Sequence, residues 1–200
     1  MDFATVKARL FELAKRDSFR RGQFKLTSGR TSSYYFDGKM ITLSAEGAHL
    51  AGKAFFELIR PSGAEAVGGP TIGADPIATA VAIESFLQGQ PIPAFLVRKE
   101  AKGHGTRKAI EGPLPKKERV KVAIVEDVIT TGGSILQAIQ EVERAGCKVV
   151  KVVILVDRME GGAEEMRRRG YDFEALFTIA DFGVTAEEIA RAQEGIDLSS

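Results

Sequence analysis

Val122-Ala123-Ile124-Val125-Glu126-Asp127-Val128-Ile129-Thr130-Thr131-Gly132-Gly133-Ser134 is the stretch from which the fold of this chain is read. Val122 to Val125 form an apolar, β-prone run that predicts a buried strand. Two adjacent carboxylates, Glu126 and Asp127, follow it. Thr130 to Ser134 are then small or hydroxylic and open onto Ile135, Leu136, Ile139 and Val142, which recur at helical spacing. A strand, a tight small-residue turn and a helix N-terminus together make an anion site. Backbone N–H groups lack intrahelical partners there, the helix dipole favours negative charge, and glycine lets the backbone come close. The hydroxyls of Thr130, Thr131 and Ser134 add donors. The two acids would weaken a site for phosphate alone, so the pattern implies a ligand that also carries hydroxyls, a Mg²⁺ ion, or both. A ribose 5-phosphate satisfies both ends. The run is neither a Walker A loop nor a GxGxxG turn.

On either side of this stretch, strands and helices alternate. Helical patterns are predicted over 3–16, over Ala45–Ile59 up to Pro61, and over Pro76–Leu87 with Asp75 as N-cap and Pro76 in the first helical position. Further helices are expected over Ser134–Ala145, over Gly161–Arg169, and after Thr185-Ala186-Glu187-Glu188, a capping-box pattern. Strands are predicted at Ala64–Gly69, Ile92–Val97, Val120–Glu126, Val149–Val156 and Ala175–Ile179. This rhythm means an α/β fold with a mostly parallel sheet flanked by helices, with ligands at the carboxyl ends of its strands. The first 40 residues, with short β segments at Phe24–Leu26 and Tyr34–Phe36, break the rhythm and predict a small N-terminal hood. At 200 residues and 44% hydrophobic content, one domain with a substantial core is expected.

A long gap separates Val97 from Val120. From Arg98 to Lys121 there are nine Lys or Arg against three Glu, a charge of +6 in a chain of net charge +1, so the remainder carries −5. A basic, glycine-containing segment of this kind suits a lid closing over a polyanion. No aromatic residue interleaves with the basic ones to stack bases, and the balanced overall charge argues against nucleic-acid binding. His104 lies between Gly103 and Gly105, whereas His49 falls inside a helical pattern and reads as structural or surface. The single Cys147, the absence of an apolar leader in residues 1–20 and the lack of any long apolar run lead to the expectation of a reduced, cytoplasmic protein without a membrane segment.

The residues from Glu126 to Ser134 resemble the phosphoribosyl pyrophosphate (PRPP) signature of type I phosphoribosyltransferases. Arg98-Lys99-Glu100-x-Lys102-x-His104-Gly105 is similar to the mobile catalytic loop of the orotate phosphoribosyltransferases among them. The resemblance extends to Leu26-Thr27-Ser28-Gly29-Arg30-x-Ser32-x-Tyr34-Tyr35-Phe36-Asp37 and to Val156-Asp157-Arg158-x-Glu160-Gly161. It implies a type I phosphoribosyltransferase-like fold over residues 1–200, with a hood at 1–40 and a catalytic loop at 98–119. It also implies that Arg98, Lys99, Lys102 and His104 bind PRPP and pyrophosphate. Glu126, Asp127, Val128, Ile129, Thr130, Thr131, Gly132, Gly133 and Ser134 would hold the ribose and 5-phosphate. Lys102, His104 and Asp127 would be the catalytic residues, and Thr130 with Arg158 would contact orotate. The implied cofactor is Mg²⁺, held mainly through PRPP with no direct protein ligands. The implied assembly is a homodimer with shared active sites. An Arg at a strand end is well suited to gripping the orotate carboxylate; the competing reading of Arg158 is a surface charge paired with Glu160.

The chain departs from the family pattern at two points. Thr27 stands where many members carry Lys before Ser-Gly-Arg, and Thr71-Ile72-Gly73 stands where many carry Tyr-Lys after Gly-Pro. Backbone N–H groups of the 70–74 turn are the candidate replacement at the second point. The rival readings are a phosphoribosyltransferase for another base and a non-catalytic PRPP-sensing regulator. A purine offers no carboxylate for Arg158, and a regulator would carry an added nucleic-acid-binding surface and a degraded loop.

Overall fold

A computed structural model of the chain describes residues 1–25, 31–98 and 109–193. Helix α1 (Phe3–Leu13) is capped by Asp2, whose carboxylate accepts from the Thr5 N–H at 2.8 Å, and ends in a π-type turn over Ala14–Ser18. Strands β1 (Phe19–Lys25) and β2 (Thr31–Phe36) pair antiparallel as a two-stranded sheet of their own. The expected segment at Phe24–Leu26 therefore begins five residues earlier, at Phe19. Arg20, Arg21, Gly22 and Gln23 hide it, because one face of a two-stranded ribbon meets water and needs no apolar alternation.

A short helix α2 (Lys39–Thr42) follows, then α3 (Ala45–Ile59), β3 (Ala66–Pro70), α4 (Ala74–Leu87) and β4 (Ala94–Val97). Next come β5 (Ile110–Glu111), β6 (Lys121–Ile129), α5 (Gly133–Arg144), β7 (Lys148–Asp157), α6 (Gly162–Arg168), β8 (Phe173–Thr178) and α7 (Ala186–Gln193). Helix α4 corrects the expectation at 75–76. It starts at Ala74, so Asp75 lies in its first turn and is not its cap, and Pro76 is the third helical residue. Pro is tolerated there because first-turn N–H groups have no intrahelical acceptor. The capping box at the last helix forms as expected. The Glu188 N–H donates to Thr185 Oγ1 at 3.3 Å, and the Thr185 N–H to Glu188 Oε2 at 2.9 Å.

The main sheet has the order β5-β4-β3-β6-β7-β8, parallel except for β5, which runs antiparallel to β4. Among its described residues, the expected loop between 97 and 120 thus contains one short strand, too brief to show a period. Both faces are covered. Ala123, Val125, Val153 and Leu155 point into one core with Leu10, Leu50, Phe55 and Ile77 of α1, α3 and α4. Val122, Ile124, Val152 and Ile154 point into the other with Ile135, Ile139 and Val142 of α5 and Met166 of α6. The period-two alternation is real, but each strand reads as continuously apolar because both faces are buried.

The chain leaves β3 toward β4 on one side, and β6 toward β7 and β8 on the other. The carboxyl ends of β3 and β6 therefore flank a topological switch point, where such sheets leave a crevice. The two-stranded sheet is held to the body by rings. Phe182 lies 5.0 Å from Phe11, 5.5 Å from Phe19 and 5.3 Å from Phe36 between centroids. Arg21 also pairs with Glu188 of α7 at 2.6 Å.

Candidate active site

A cleft of about 620 Å³ opens at that switch point, lined by Lys39, Thr71, Ile72, Gly73, Arg98, Glu126, Asp127, Val128 and Ser134. Its floor is the end of β6. That strand was expected to stop at Glu126 but continues to Ile129, because Val128 and Ile129 pair with Val156 and Asp157 of β7. On the other side β3 pairs with β6 only as far as Ile124. Beyond that point one edge of β6 is free to face the cleft, and the two acids stand there.

Both acids are buried, Glu126 at 6% exposure and Asp127 at 7%. Burial, reinforced by the neighbouring Asp127 charge, pushes the Glu126 carboxyl up to about 9. Burial also raises Asp127, opposed by the positive charge of Lys39. Glu126 is therefore held as a neutral acid in the free protein at pH 7. The wall opposite is the turn after β3, which carries a cis peptide bond between Thr71 and Ile72. Gly73 packs directly on the acids. A Cβ there would overlap Oε1 of Glu126 and lie 2.5 Å from Oδ1 of Asp127.

The anion end is the turn from Thr130 into α5. Gly132 sits at the helix N-cap position with φ +88°, a left-handed conformation that favours glycine, and no side chain caps the helix. The first N–H groups of α5 are thus left without a side-chain partner at its mouth. Thr131, Gly133 and Ser134 are exposed, and a Cβ on Gly133 would meet open space. The turn is pinned from behind. The Thr130 carbonyl accepts from the Gly162 N–H at 2.9 Å, and the Ile129 carbonyl from the Arg158 N–H at 3.0 Å.

Of the residues expected at the site, Arg98, Glu126, Asp127, Val128 and Ser134 line the cleft together. The Ile129 side chain instead enters the core beside α5, leaving only its backbone to the site. Arg98 pairs with Glu111 at 3.7 Å, and its N–H donates to the Ala109 carbonyl at 2.8 Å. Arg98 therefore meets residues 109–111 at the cleft rim. Lys99, Lys102 and His104 lie outside the described residues.

Arg158 does not line the cleft. Its Nη2 lies 2.8 Å from Oε1 of Glu160, as one of the two readings expected, but the pair is buried, with the side chains 11% and 3% exposed. The guanidinium carbon stands 5.2 Å from the centre of the Tyr34 ring. Arg158 Nε and Tyr34 Oη are both buried, and burial raises the Tyr34 phenol while the Arg158 charge and a hydrogen bond to it oppose that rise. Lys39 was not anticipated. Its only signal was a lone basic residue after Asp37-Gly38, which sequence alone does not separate from surface charge. Its ammonium lies 2.9 Å from Asp37 Oδ1 and 3.8 Å from Asp127 Oδ2, and Asp37 first, then Asp127, hold it charged.

The phosphoribosyl transferase domain family matches residues 42–184. The orotate phosphoribosyltransferase of Nostoc sp. is 46% identical over 189 residues, covering 94% of this chain and 90% of that relative. A crystal structure of Mycobacterium tuberculosis H37Rv orotate phosphoribosyltransferase superposes with a TM-score of 0.78 at 40% identity, covering 90% of this chain and 99% of that one. A second structure of that enzyme, in complex with PRPP, superposes at 0.74 with 37% identity and the same coverage.

Proposed function

We propose that this chain, which belongs to the orotate phosphoribosyltransferase family, carries out its chemistry in the cleft between β3 and β6. The enzyme is a pentosyltransferase of pyrimidine biosynthesis. It transfers the 5-phosphoribosyl group of PRPP to orotate, giving orotidine 5′-monophosphate and pyrophosphate.

The observation that supports this placement best is the meeting of two unlike parts in one cleft. A helix mouth with exposed N–H and hydroxyl donors at 131–134 lies beside a buried acidic pair at 126–127. The first suits the 5-phosphate and the second the ribose hydroxyls. Neutral Glu126 can both donate to and accept from a hydroxyl, while Asp127, opposed by Lys39, accepts. As the bond from C1 to the pyrophosphate oxygen lengthens, positive charge grows on the ribose near these groups. N1 of orotate then attacks C1 and gives up its proton to the departing pyrophosphate or to solvent, so no covalent enzyme intermediate is needed. Lys102 and His104 take the role of stabilising the pyrophosphate as it leaves, and Arg98 and Lys99 bind it, with the 98–119 segment excluding water.

Arg158 and Thr130 stand outside the cleft lining but next to the end of β6, and in this reading they hold orotate there. The buried Nε of Arg158 and Oη of Tyr34 are directed donors suited to a carboxylate. Among the described residues no three His, Cys, Asp or Glu side chains converge as a metal cage. In this reading Mg²⁺ is held mainly by substrate oxygens and water, as this ion prefers. When bound, Mg²⁺ would neutralise charge on the pyrophosphate. A cytoplasmic homodimer that shares residues of the 98–119 segment between sites completes the proposal. No helix of the described residues is long and apolar enough to cross a membrane.

The test is product identification. Chromatography of a reaction with PRPP, orotate and Mg²⁺ should yield orotidine 5′-monophosphate and pyrophosphate in equal amounts. Release of pyrophosphate together with free ribose 5-phosphate would instead mark hydrolysis and remove the assignment of orotate to the cleft.

A further inference from the structure

The cleft poses a problem of charge. Its floor holds Glu126 and Asp127, with half-buried Asp75 close enough to add to the burden on Glu126, and Asp37 pairs with Lys39 of the lining. Among the described lining residues only Lys39 and Arg98 are cationic, and Arg98 is met by Glu111. The turn after β3 contributes Thr71, Ile72 and Gly73, with no basic side chain. Gly73 cannot be exchanged for a basic residue without moving the acids, since its Cβ position is filled by Glu126 and Asp127.

We propose that Lys39 is a further substrate-binding residue, whose ammonium binds the pyrophosphate group at the wall where the turn after β3 offers no cation. This rests on the assignment of PRPP to the cleft. Three features of the structure support it. First, the backbone places Lys39 firmly: a Cβ on the preceding Gly38 would stand 2.7 Å from Cβ and 2.8 Å from Oδ2 of Asp127, so residues 37–39 are pressed against the acid. Second, Lys39 belongs to the cleft lining yet its side chain is 46% exposed, so the ammonium is accessible to a ligand. Third, its contacts leave capacity. One carboxylate oxygen lies at 2.9 Å and a second at 3.8 Å, beyond hydrogen-bond range, while an ammonium has three donors. Oδ2 of Asp127 has no hydrogen bond among the described residues, so Lys39 compensates it only through space. A cation shared between a buried carboxylate and an incoming polyanion offsets the repulsion that would otherwise oppose binding.

The experiment compares wild type, Lys39→Met and Lys39→Arg by calorimetric titration with pyrophosphate and with ribose 5-phosphate, each with Mg²⁺, beside steady-state kinetics and thermal melts. Lys39→Met should weaken pyrophosphate binding and raise KM for PRPP by about 10- to 100-fold, the loss of one charge-assisted hydrogen bond. Ribose 5-phosphate affinity and KM for orotate should stay near wild type, and Lys39→Arg should recover most of the loss. Lys39→Gln serves the same comparison if Met perturbs the melt. Unchanged pyrophosphate affinity in the Met and Gln variants would overturn the proposal. So would equal weakening of pyrophosphate and ribose 5-phosphate, which marks a role only in holding Asp127. Failure of the wild type to bind either pyrophosphate or PRPP would instead overturn the placement of PRPP in the cleft, and this proposal with it.

Discussion

Gly73 lies against Glu126 so closely that a Cβ on it would occupy the place of Oε1. The turn after β3 and the acids ending β6 are thus fitted to each other through a missing side chain. Gly73→Ala should displace both carboxylates and lower kcat/KM for PRPP by about 100-fold, the order expected when reacting groups shift by an ångström. The far-UV circular dichroism should be unchanged, since the turn carries no core side chain. Wild-type kinetics from this variant would show that the acids need no fixed position.

The buried acids leave a mark on stability. Glu126 titrates at about 9 in the folded protein against an ordinary value of 4.5. Between these values the unfolded chain has released a proton that the folded chain keeps, so stability falls as pH rises through the window and levels off above it. Glu126→Gln removes that loss. Without substrates, its Tm should exceed that of wild type at pH 8.5. The difference should shrink at pH 5.5. Activity should fall in the same variant. An equal Tm difference at both pH values would contradict the burial argument.

Arg158 and Lys102 are assigned to opposite ends of the reaction, so their substitution should divide the kinetics. Arg158→Ala removes a buried donor for the orotate carboxylate and should raise KM for orotate by about tenfold or more. It also leaves the buried Glu160 without its 2.8 Å partner, so a lowered Tm should accompany it. Lys102→Ala should lower kcat by about 100-fold and leave orotate binding near wild type, as expected for a group that acts on charge developing in the transition state. Equal, mild effects from both would contradict the two assignments.

The parallel sheet was legible because β6 and β7 are buried on both faces and therefore read as unbroken apolar runs, Val122–Val125 and Val152–Val156. The acids and the hydroxylic turn were legible because two carboxylates followed by Thr-Thr-Gly-Gly-Ser serve no ordinary turn. What sequence could not carry was contact across the fold. Asp75 resembled a cap because Pro76 follows it, yet the helix begins at Ala74, and the half-buried carboxylate adds its charge to the acidic pair instead. Strand β5 has two residues, too few for a period, and is fixed by pairing with Leu96 and Val97. Lys39 acquires meaning only when Gly38 packs on Asp127, two residues separated by most of the sheet's sequence. Arg158 was read as a ligand residue or as one half of an ion pair. The structure shows the pair, buried against Tyr34, a combination that spacing alone does not reveal.

The most direct measurement is the loss of orotate absorbance on addition of PRPP and Mg²⁺, run in parallel with adenine, hypoxanthine and uracil as alternative acceptors. The expected result is turnover of orotate alone, abolished when PRPP is omitted. Turnover of a purine or uracil in its place would contradict the role given to Arg158. No turnover of any base, with PRPP still bound, would contradict the enzymatic assignment of the cleft.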